Sequence, residues 1–241
     1  MKEKKRKEMR LRRINKRFLL NNPSSLKLYP LIKKVSTYSM LPYGALYQAY
    51  RLVQEIKNVP GDIVEMGCWN GGCGALMAYS AKKSATRKKV WLFDSFEGIP
   101  TLTKEDEAWA RKSHLSLRSD FEDLEAAGYY VADVNLAKEV IKKLEVEDVC
   151  LIQKGWFQRT IPDVKENIGP IALLRLDGDL YESTKYCLEQ VYDLVFPGGI
   201  IIIDDFNLEG CRQALFEFFY SKKHWPFLTQ EIGERMYFRK T

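Results

Sequence analysis

From residue 43 onward, short apolar runs alternate with stretches at helical spacing, and this rhythm constrains the fold more than any other feature. Ile63-Val64-Glu65-Met66, Val90-Trp91-Leu92-Phe93, Val149-Cys150-Leu151-Ile152, Ile171 to Leu176 and Ile200 to Ile203 read as strands, with Met236-Tyr237-Phe238 closing the series. Residues 43–57, Gly71 to Ala81, Asn135 to Leu144, Tyr181 to Val195 and Leu208 to Tyr220 read as helices, and Pro197-Gly198-Gly199 as the turn before the fifth strand. The strands are apolar throughout rather than alternating, as they are when both sheet faces are covered. The expected class is therefore α/β: a mostly parallel sheet with helices on both faces.

The chain of 241 residues suits one large domain. The spacing predicts a single domain over 23–241, preceded by a basic tail at 1–22 that ends in the breaker cluster Asn21-Asn22-Pro23-Ser24-Ser25. Residues 97–130 break the rhythm. They are charged, with Gly98, Pro100 and Gly128 near their ends, and are expected to form an inserted lid.

Residues 1–17 carry ten Lys or Arg against Glu3 and Glu8, a net of +8, so the other 224 residues hold −2 of the chain's +6. A nucleic-acid reading would rest on the tail alone, and nucleic acid is not an expected partner. Arg10 to Leu20 interleaves basic residues with Leu11, Ile14, Phe18 and Leu19, a pattern that suits either weak contact with an anionic membrane surface or a locally packed helix. No apolar run approaches 18 residues, and the charged start lacks the apolar core of a secretion signal. Five scattered cysteines form no C-x-x-C pair, and neither His114 nor His224 lies in a zinc motif. These features predict a cytoplasmic protein with reduced thiols, and His114 is expected at the surface.

Ligands of open α/β sheets bind beyond the carboxyl ends of the strands. Here those ends carry Glu65-Met66-Gly67, Asp94, Asp177-Gly178-Asp179 and Asp204-Asp205. Val64-Glu65-Met66-Gly67-Cys68-Trp69-Asn70-Gly71-Gly72 is a strand running into a glycine-rich turn and a helix. Trp69 takes the second glycine position of a dinucleotide fingerprint, and no G-K-[ST] of a P-loop follows. E-x-G-x-x-x-G-G is instead the form of S-adenosylmethionine-binding Rossmann-like folds, placing Glu65, Gly67 and Gly71 at the cofactor. Asp94 can accept ribose hydroxyls, Ser95 and Phe96 can line the adenosine site, and Trp156 and Phe157 can flank the adenine. Asp177, Asp179, Asp204 and Asp205 would converge if their strands are neighbours. Such acids repel unless a cation offsets them. An oxygen-only set points to Mg²⁺, with Mn²⁺ or Ca²⁺ as alternatives. Each motif also has a purely structural reading as a turn, cap or core residue.

The sequence resembles the bacterial S-adenosylmethionine-dependent sugar O-methyltransferases of the macrocin, mycinamicin and novobiocin type. The residues that carry it are Val64 to Gly67 with Gly71-Gly72, Leu92-Phe93-Asp94-Ser95-Phe96-Glu97-Gly98-Ile99-Pro100, Lys154-Gly155-Trp156-Phe157, Leu174 to Thr184, and Pro197-Gly198-Gly199 with Asp204-Asp205-Phe206. The resemblance covers roughly residues 36–220 and implies a Rossmann-like class I methyltransferase fold with an N-terminal helical arm. It implies that Glu65 and Gly67 contact the cofactor, that Asp94 binds its ribose, and that Ser39-Met40 closes over its methionine end. It also implies Mg²⁺ on Asp177, Asp204 and Asp205, with Asp179 a candidate base; whether Asp177 or Asp179 is the base stays open. The expected reaction is Mg²⁺-dependent methylation of a hydroxyl on a sugar or glycosylated small molecule, as in natural-product or polysaccharide biosynthesis. Its acceptor partner is a small molecule or glycan, and self-association into a homo-oligomer is left open. Two alternatives remain: an RNA or other macromolecule methyltransferase guided by the tail, and a nucleotide-dependent oxidoreductase.

Overall fold

The computed structural model describes residues 16–84, 88–115, 117, 125–230 and 235–241. Residues 1–15, most of the basic tail, lie outside it. Its described end, helix α1 (residues 16–21), does not simply hang in solvent: Phe18 packs on Tyr43 and Tyr47 at ring separations of 5.9 and 5.6 Å. After α2 (Tyr29–Val35) and α3 (Tyr43–Glu55) the expected alternation begins: β1 (Asp62–Met66), α4 (Gly72–Lys83) and β2 (Val90–Asp94). The inserted segment contains α5 (Glu107–Ser113). Then come α6 (Val134–Lys143), β3 (Cys150–Lys154), α7 (Phe157–Val164), β4 (Ile171–Leu176), α8 (Tyr181–Val191), β5 (Val195–Ile203), α9 (Glu209–Lys222), β6 (Thr229–Gln230) and β7 (Met236–Arg239).

The sheet runs β3-β2-β1-β4-β5-β7-β6. β1 to β5 are mutually parallel, and β7 is antiparallel to both β5 and β6. Side chains alternate cleanly between two cores. Ile63, Leu92, Leu173, Ile200 and Ile202 meet α2, α3, α4 and α6 on one face, while Val64, Met66, Phe93, Leu174, Leu176 and Ile203 meet α7, α8 and α9 on the other. The chain leaves β1 toward β2 and β3, then returns to lay β4 and β5 on the opposite side. The ends of β1 and β4 therefore flank the point where strand order reverses, the usual place for a ligand crevice.

Some elements depart from the expected boundaries. Pro197-Gly198-Gly199 lies inside β5 rather than before it. Ile171 pairs with Val195 and Leu173 with Ile200, so β5 bulges between the two pairs, and Gly198 takes the required φ of 85°. α7 was not expected. It is only eight residues long and carries Pro162, a helix breaker, although Phe157, Ile161 and Val164 fall at helical spacing. All five cysteines are free, and His114 is exposed, closing α5 in a left-handed conformation.

The described part of 97–130 is more ordered at its base than a bare loop. Ile99 N–H donates to Tyr129 (3.0 Å), Ala127 N–H to Ile99 (2.9 Å) and Thr101 N–H to Glu125 (2.8 Å), so its two ends pair as a short antiparallel ladder. Gly98 permits this closure, since a Cβ there would lie 2.2 Å from the Tyr129 carbonyl. Ile99, Leu102 and Ala110 form a small core with Leu180, from the loop that precedes α8.

Gly67 sets how closely the ends of β1 and β4 approach. Its φ is 90°, and a Cβ would lie 1.9 Å from the Asp177 carbonyl oxygen. Gly67→Ala is expected to cost about 2 kcal/mol or more in chemical denaturation, from left-handed strain plus displacement of backbone; a change below a few tenths would show that the strand ends tolerate separation.

Candidate active site

The strand ends open into one cleft with two chemically different halves. The first has an empty volume of about 630 Å³ and is walled by Gly67, Trp69, Asp94, Ser95, Ile99, Trp156 and Phe157. The second, about 680 Å³, is walled by Ser39, Cys68, Asp204, Asp205, Arg175 and Arg235. Met40, Trp69, Tyr130, Asp177 and Asp179 belong to both.

In the first half, Asp94 ends β2 with both carboxylate oxygens engaged by backbone. Trp69 N–H donates to Oδ2 at 2.7 Å and Phe96 N–H to Oδ1 at 2.8 Å. Each oxygen keeps a further acceptor site. Burial raises the Asp94 carboxyl from its ordinary value, and the Phe96 and Trp69 N–H groups oppose that rise. Trp69 (φ 49°) and Phe96 (φ 60°) both take left-handed backbone to present those donors. The Phe96 side chain is buried in the core rather than in the cleft. Ser95 lines the cleft while its hydroxyl donates to the Gly98 carbonyl at 2.7 Å. Gly71, at φ 75°, starts α4 against Ala137 and forms no part of the described cleft wall.

In the second half, the structure supplies something the acids alone did not announce. Arg175 sits opposite Glu65 in register, on the α4 face of the sheet, and is only 2% exposed. Its Nη1 donates to Glu65 Oε1 at 2.9 Å and Asp177 Oδ2 at 2.7 Å, and its Nη2 to Asp204 Oδ1 at 2.5 Å. Arg235, at the approach to β7, donates from Nε to the same Asp204 oxygen at 2.7 Å. Glu65 has no exposed surface. Its Oε2 makes no hydrogen bond and packs where a Cβ on Gly74 would come within 2.6 Å. Glu65 is nonetheless one of the residues that line the acidic half.

Burial and mutual repulsion set the titration of these groups. Burial raises Glu65 to about 7, with the Arg175 charge working against it. Asp177 rises to about 6 for the same reasons, the neighbouring Asp204 adding to the rise. Burial opposes the charge of Asp204 too, but Arg175 and Arg235 together bring its pKa below the ordinary value. Asp179 and Asp205 go well above theirs, by burial first and then by the surrounding carboxylates.

The strand ends do bring Asp177, Asp204 and Asp205 together, each offering an oxygen within 4.8 Å of the others. Asp179 lies outside that trio, at φ 58°, with its N–H donating to Asp205 Oδ2 at 3.0 Å. Ser39 and the half-exposed Met40 line the acidic half, and Ser39 Oγ accepts from Leu41 N–H at 3.2 Å. Sequence reasoning passed over Arg175, whose signal was a charge inside an otherwise apolar strand. It also missed Arg235 and Tyr130. Tyr130 stacks on Trp109 with an interplanar angle of 19° where the two halves meet.

A sheet with one reversed strand and a cleft at its switch point defines a Rossmann-like class I methyltransferase fold. The solved O-methyltransferase NovP shares it, with a TM-score of 0.71 and 28% identity over 85% of this chain and 82% of that one. The calicheamicin methyltransferase CalS11, at 22% identity and a TM-score of 0.67 over 95% of this chain and 90% of that one, shares the fold. Residues 35–240 match the family described as Macrocin-O-methyltransferase (TylF), and the chain belongs to that family. Demethyldecarbamoylnovobiocin O-methyltransferase of Streptomyces niveus is 33% identical over 76% of this chain and 68% of its own length. The 8-demethyl-8-(2,3-dimethoxy-alpha-L-rhamnosyl)-tetracenomycin-C 4'-O-methyltransferase of Streptomyces olivaceus is 35% identical over 66% of this chain, and the match spans 58% of that relative. Among the described residues, no helix is long and apolar enough to cross a membrane.

Removing the Arg175 charge should be costly, because it leaves Glu65 and Asp204 with less compensation in a buried site. Arg175→Met is expected to lose about 3–5 kcal/mol of stability at neutral pH. A loss under 1 kcal/mol in denaturant titration would mean that Arg235 alone suffices.

Proposed function

We propose that this chain is an S-adenosylmethionine-dependent O-methyltransferase for a hydroxyl of a sugar or glycosylated small molecule, with Mg²⁺ held by Asp177, Asp204 and Asp205. The observation that carries the reading is the division of one cleft. A carboxylate seated on two N–H groups beside aromatic walls fits a nucleoside, and three converging carboxylates fit a hard cation. The tetracenomycin relative's name gives it a rhamnosyl-bearing acceptor, in keeping with a sugar hydroxyl here.

The residues suit both groups. The trio offers only oxygen donors, and both guanidinium bonds to Asp204 fall on Oδ1. When bound, the cofactor supplies an electrophilic methyl and the cation a positive charge that acidifies a nearby hydroxyl.

This chain's side chains do the rest. Asp94 uses its remaining acceptor sites for the ribose hydroxyls. Trp156 and Phe157 wall the adenine and exclude water, and Ser95 closes the same side. Gly67 lets a ligand approach the backbone. Ser39 and Met40 cover the methionine end, and Glu65 adds negative charge behind it. Asp177 is committed to Arg175 and to the trio, so Asp179 takes the hydroxyl proton. Burial and the neighbouring acids raise its carboxyl well above the ordinary value. Residues 97–130 act as the lid, with Ile99, Pro100 and Tyr130 on its cleft side. Holding the acceptor oxygen in line with the methyl supplies much of the rate.

Calorimetry tests both halves. S-adenosylhomocysteine is expected to bind, and Asp94→Ala to weaken it by about 10- to 100-fold, the cost of losing charged hydrogen bonds. Asp205→Asn should abolish Mg²⁺ binding and leave S-adenosylhomocysteine affinity intact. Mg²⁺ binding that survives in Asp205→Asn, or cofactor affinity that ignores Asp94, would overturn the assignment. Methylation of a rhamnoside acceptor should stop with EDTA and return with Mg²⁺ or Mn²⁺; full activity without metal would recast the aspartates as hydrogen-bonding groups for the sugar.

A further inference from the structure

Asp106 is a buried carboxylate that the proposed chemistry does not use. It lies in the inserted segment, in the short turn Lys104–Asp106 before α5, and is 3% exposed. Its Oδ1 accepts the Tyr181 N–H at 3.1 Å, and Thr103 Oγ1 donates to its Oδ2 at 3.4 Å. Tyr181 is the first residue of α8, and the residue before it, Leu180, provides no side-chain cap. The segment thus supplies the acceptor that the N-terminus of α8 lacks. Asp106 also packs against the start of α9, where a Cβ on Gly210 would fall 1.9 Å from Oδ1. Burial pushes its carboxyl up to about 6, and the Tyr181 N–H and the Thr103 hydroxyl work against that rise.

Two residues before Tyr181 stands Asp179, in left-handed backbone with its N–H on Asp205. Leu180 is 2% exposed and clamped among Ile99, Leu102 and Ala110 of the same segment, and its N–H reaches back to Gly178 at 2.6 Å. The loop 177–181 is therefore pinned from two sides: by Asp205 on the sheet and by Asp106 with the apolar cluster on the insert.

We infer that Asp106 is a positioning residue for Asp179: through the Tyr181 N–H and the seated Leu180, docking of residues 99–110 fixes the loop that carries the proposed base. The assignment of Asp179 as base rests on the methyl-transfer reading, but the mechanical link does not. Through this link, loss of the contacts made by Asp106 and Leu180 leaves the base loop loose.

Amide hydrogen exchange resolved by residue tests the link in the full chain. Asp106→Ala must speed exchange at Tyr181, whose acceptor is removed. The inference requires that Asp179, whose N–H is bonded to Asp205 and not to Asp106, also exchange at least tenfold faster, while β1 and β5 keep wild-type protection. Gly210→Ala should do the same with Asp106 intact, because the new methyl displaces its carboxylate; this variant also serves if Asp106→Ala fails to fold. Asp106→Asn, which keeps an acceptor oxygen, should restore protection at both amides. Acceleration confined to Tyr181 would reduce Asp106 to a helix cap and overturn the inference, as would acceleration spread evenly over the sheet. S-adenosylhomocysteine calorimetry on the same samples separates the two claims. Wild-type protein that fails to bind it would sink the methyl-transfer reading, while the exchange at Asp179 would still decide the link.

Discussion

One buried guanidinium ties three strand ends together. Arg175 projects from β4 toward Glu65 on β1, toward Asp177 at its own strand end and toward Asp204 at the end of β5. Such buried ion pairs seldom add net stability, because the desolvation of each charge offsets the attraction. Their effect here is geometric. The guanidinium plane sets the spacing of carboxylates that would otherwise separate, and Arg235 holds Asp204 from the other side. Two guanidinium groups do not balance Glu65, Asp177, Asp179, Asp204 and Asp205. Burial and that excess of acids raise half-buried Asp179 and Asp205 well above their ordinary values, and in the proposed function a cation would offset the excess.

The two halves of the cleft follow from sheet topology. β1 and β2 lead to the half where Asp94 is fixed by backbone donors. β4 and β5 lead to the acidic half, where side chains fix one another. Met40, Trp69 and Tyr130 bridge them, contributed by the arm before α3, the turn after β1 and the end of the inserted segment. The insert is thus both wall and brace, and its ladder at Ile99 and Tyr129 starts only a few residues beyond Asp94.

The parallel sheet was legible because its strands are apolar on both faces, and the convergence of Asp177 with Asp204 followed from strand adjacency. Asp94 was legible as a strand-end acid, though not its pair of backbone donors, which depend on left-handed Trp69 and Phe96. α7 escaped because it is short and holds Pro162, and the bulge of β5 looked like a turn because Pro197 and Gly198 are turn residues. Arg175 was in plain view as a charge between Leu174 and Leu176, but its partners lie on other strands, 110 and 29 residues away for Glu65 and Asp204. Asp106 gave no sign at all, since a lid full of charges does not reveal which one is buried.

The central claim is that the Arg175-centred acids form a site for one divalent cation beside a nucleoside cleft. A crystal structure with S-adenosylhomocysteine and Mn²⁺, read by anomalous scattering, tests it most directly. One metal peak within coordination distance of Asp177, Asp204 and Asp205, with Arg175 still on Glu65 and the nucleoside on Asp94, is the predicted result. No peak there, with Arg175 and Arg235 as the sole counter-charges to those carboxylates, would contradict it.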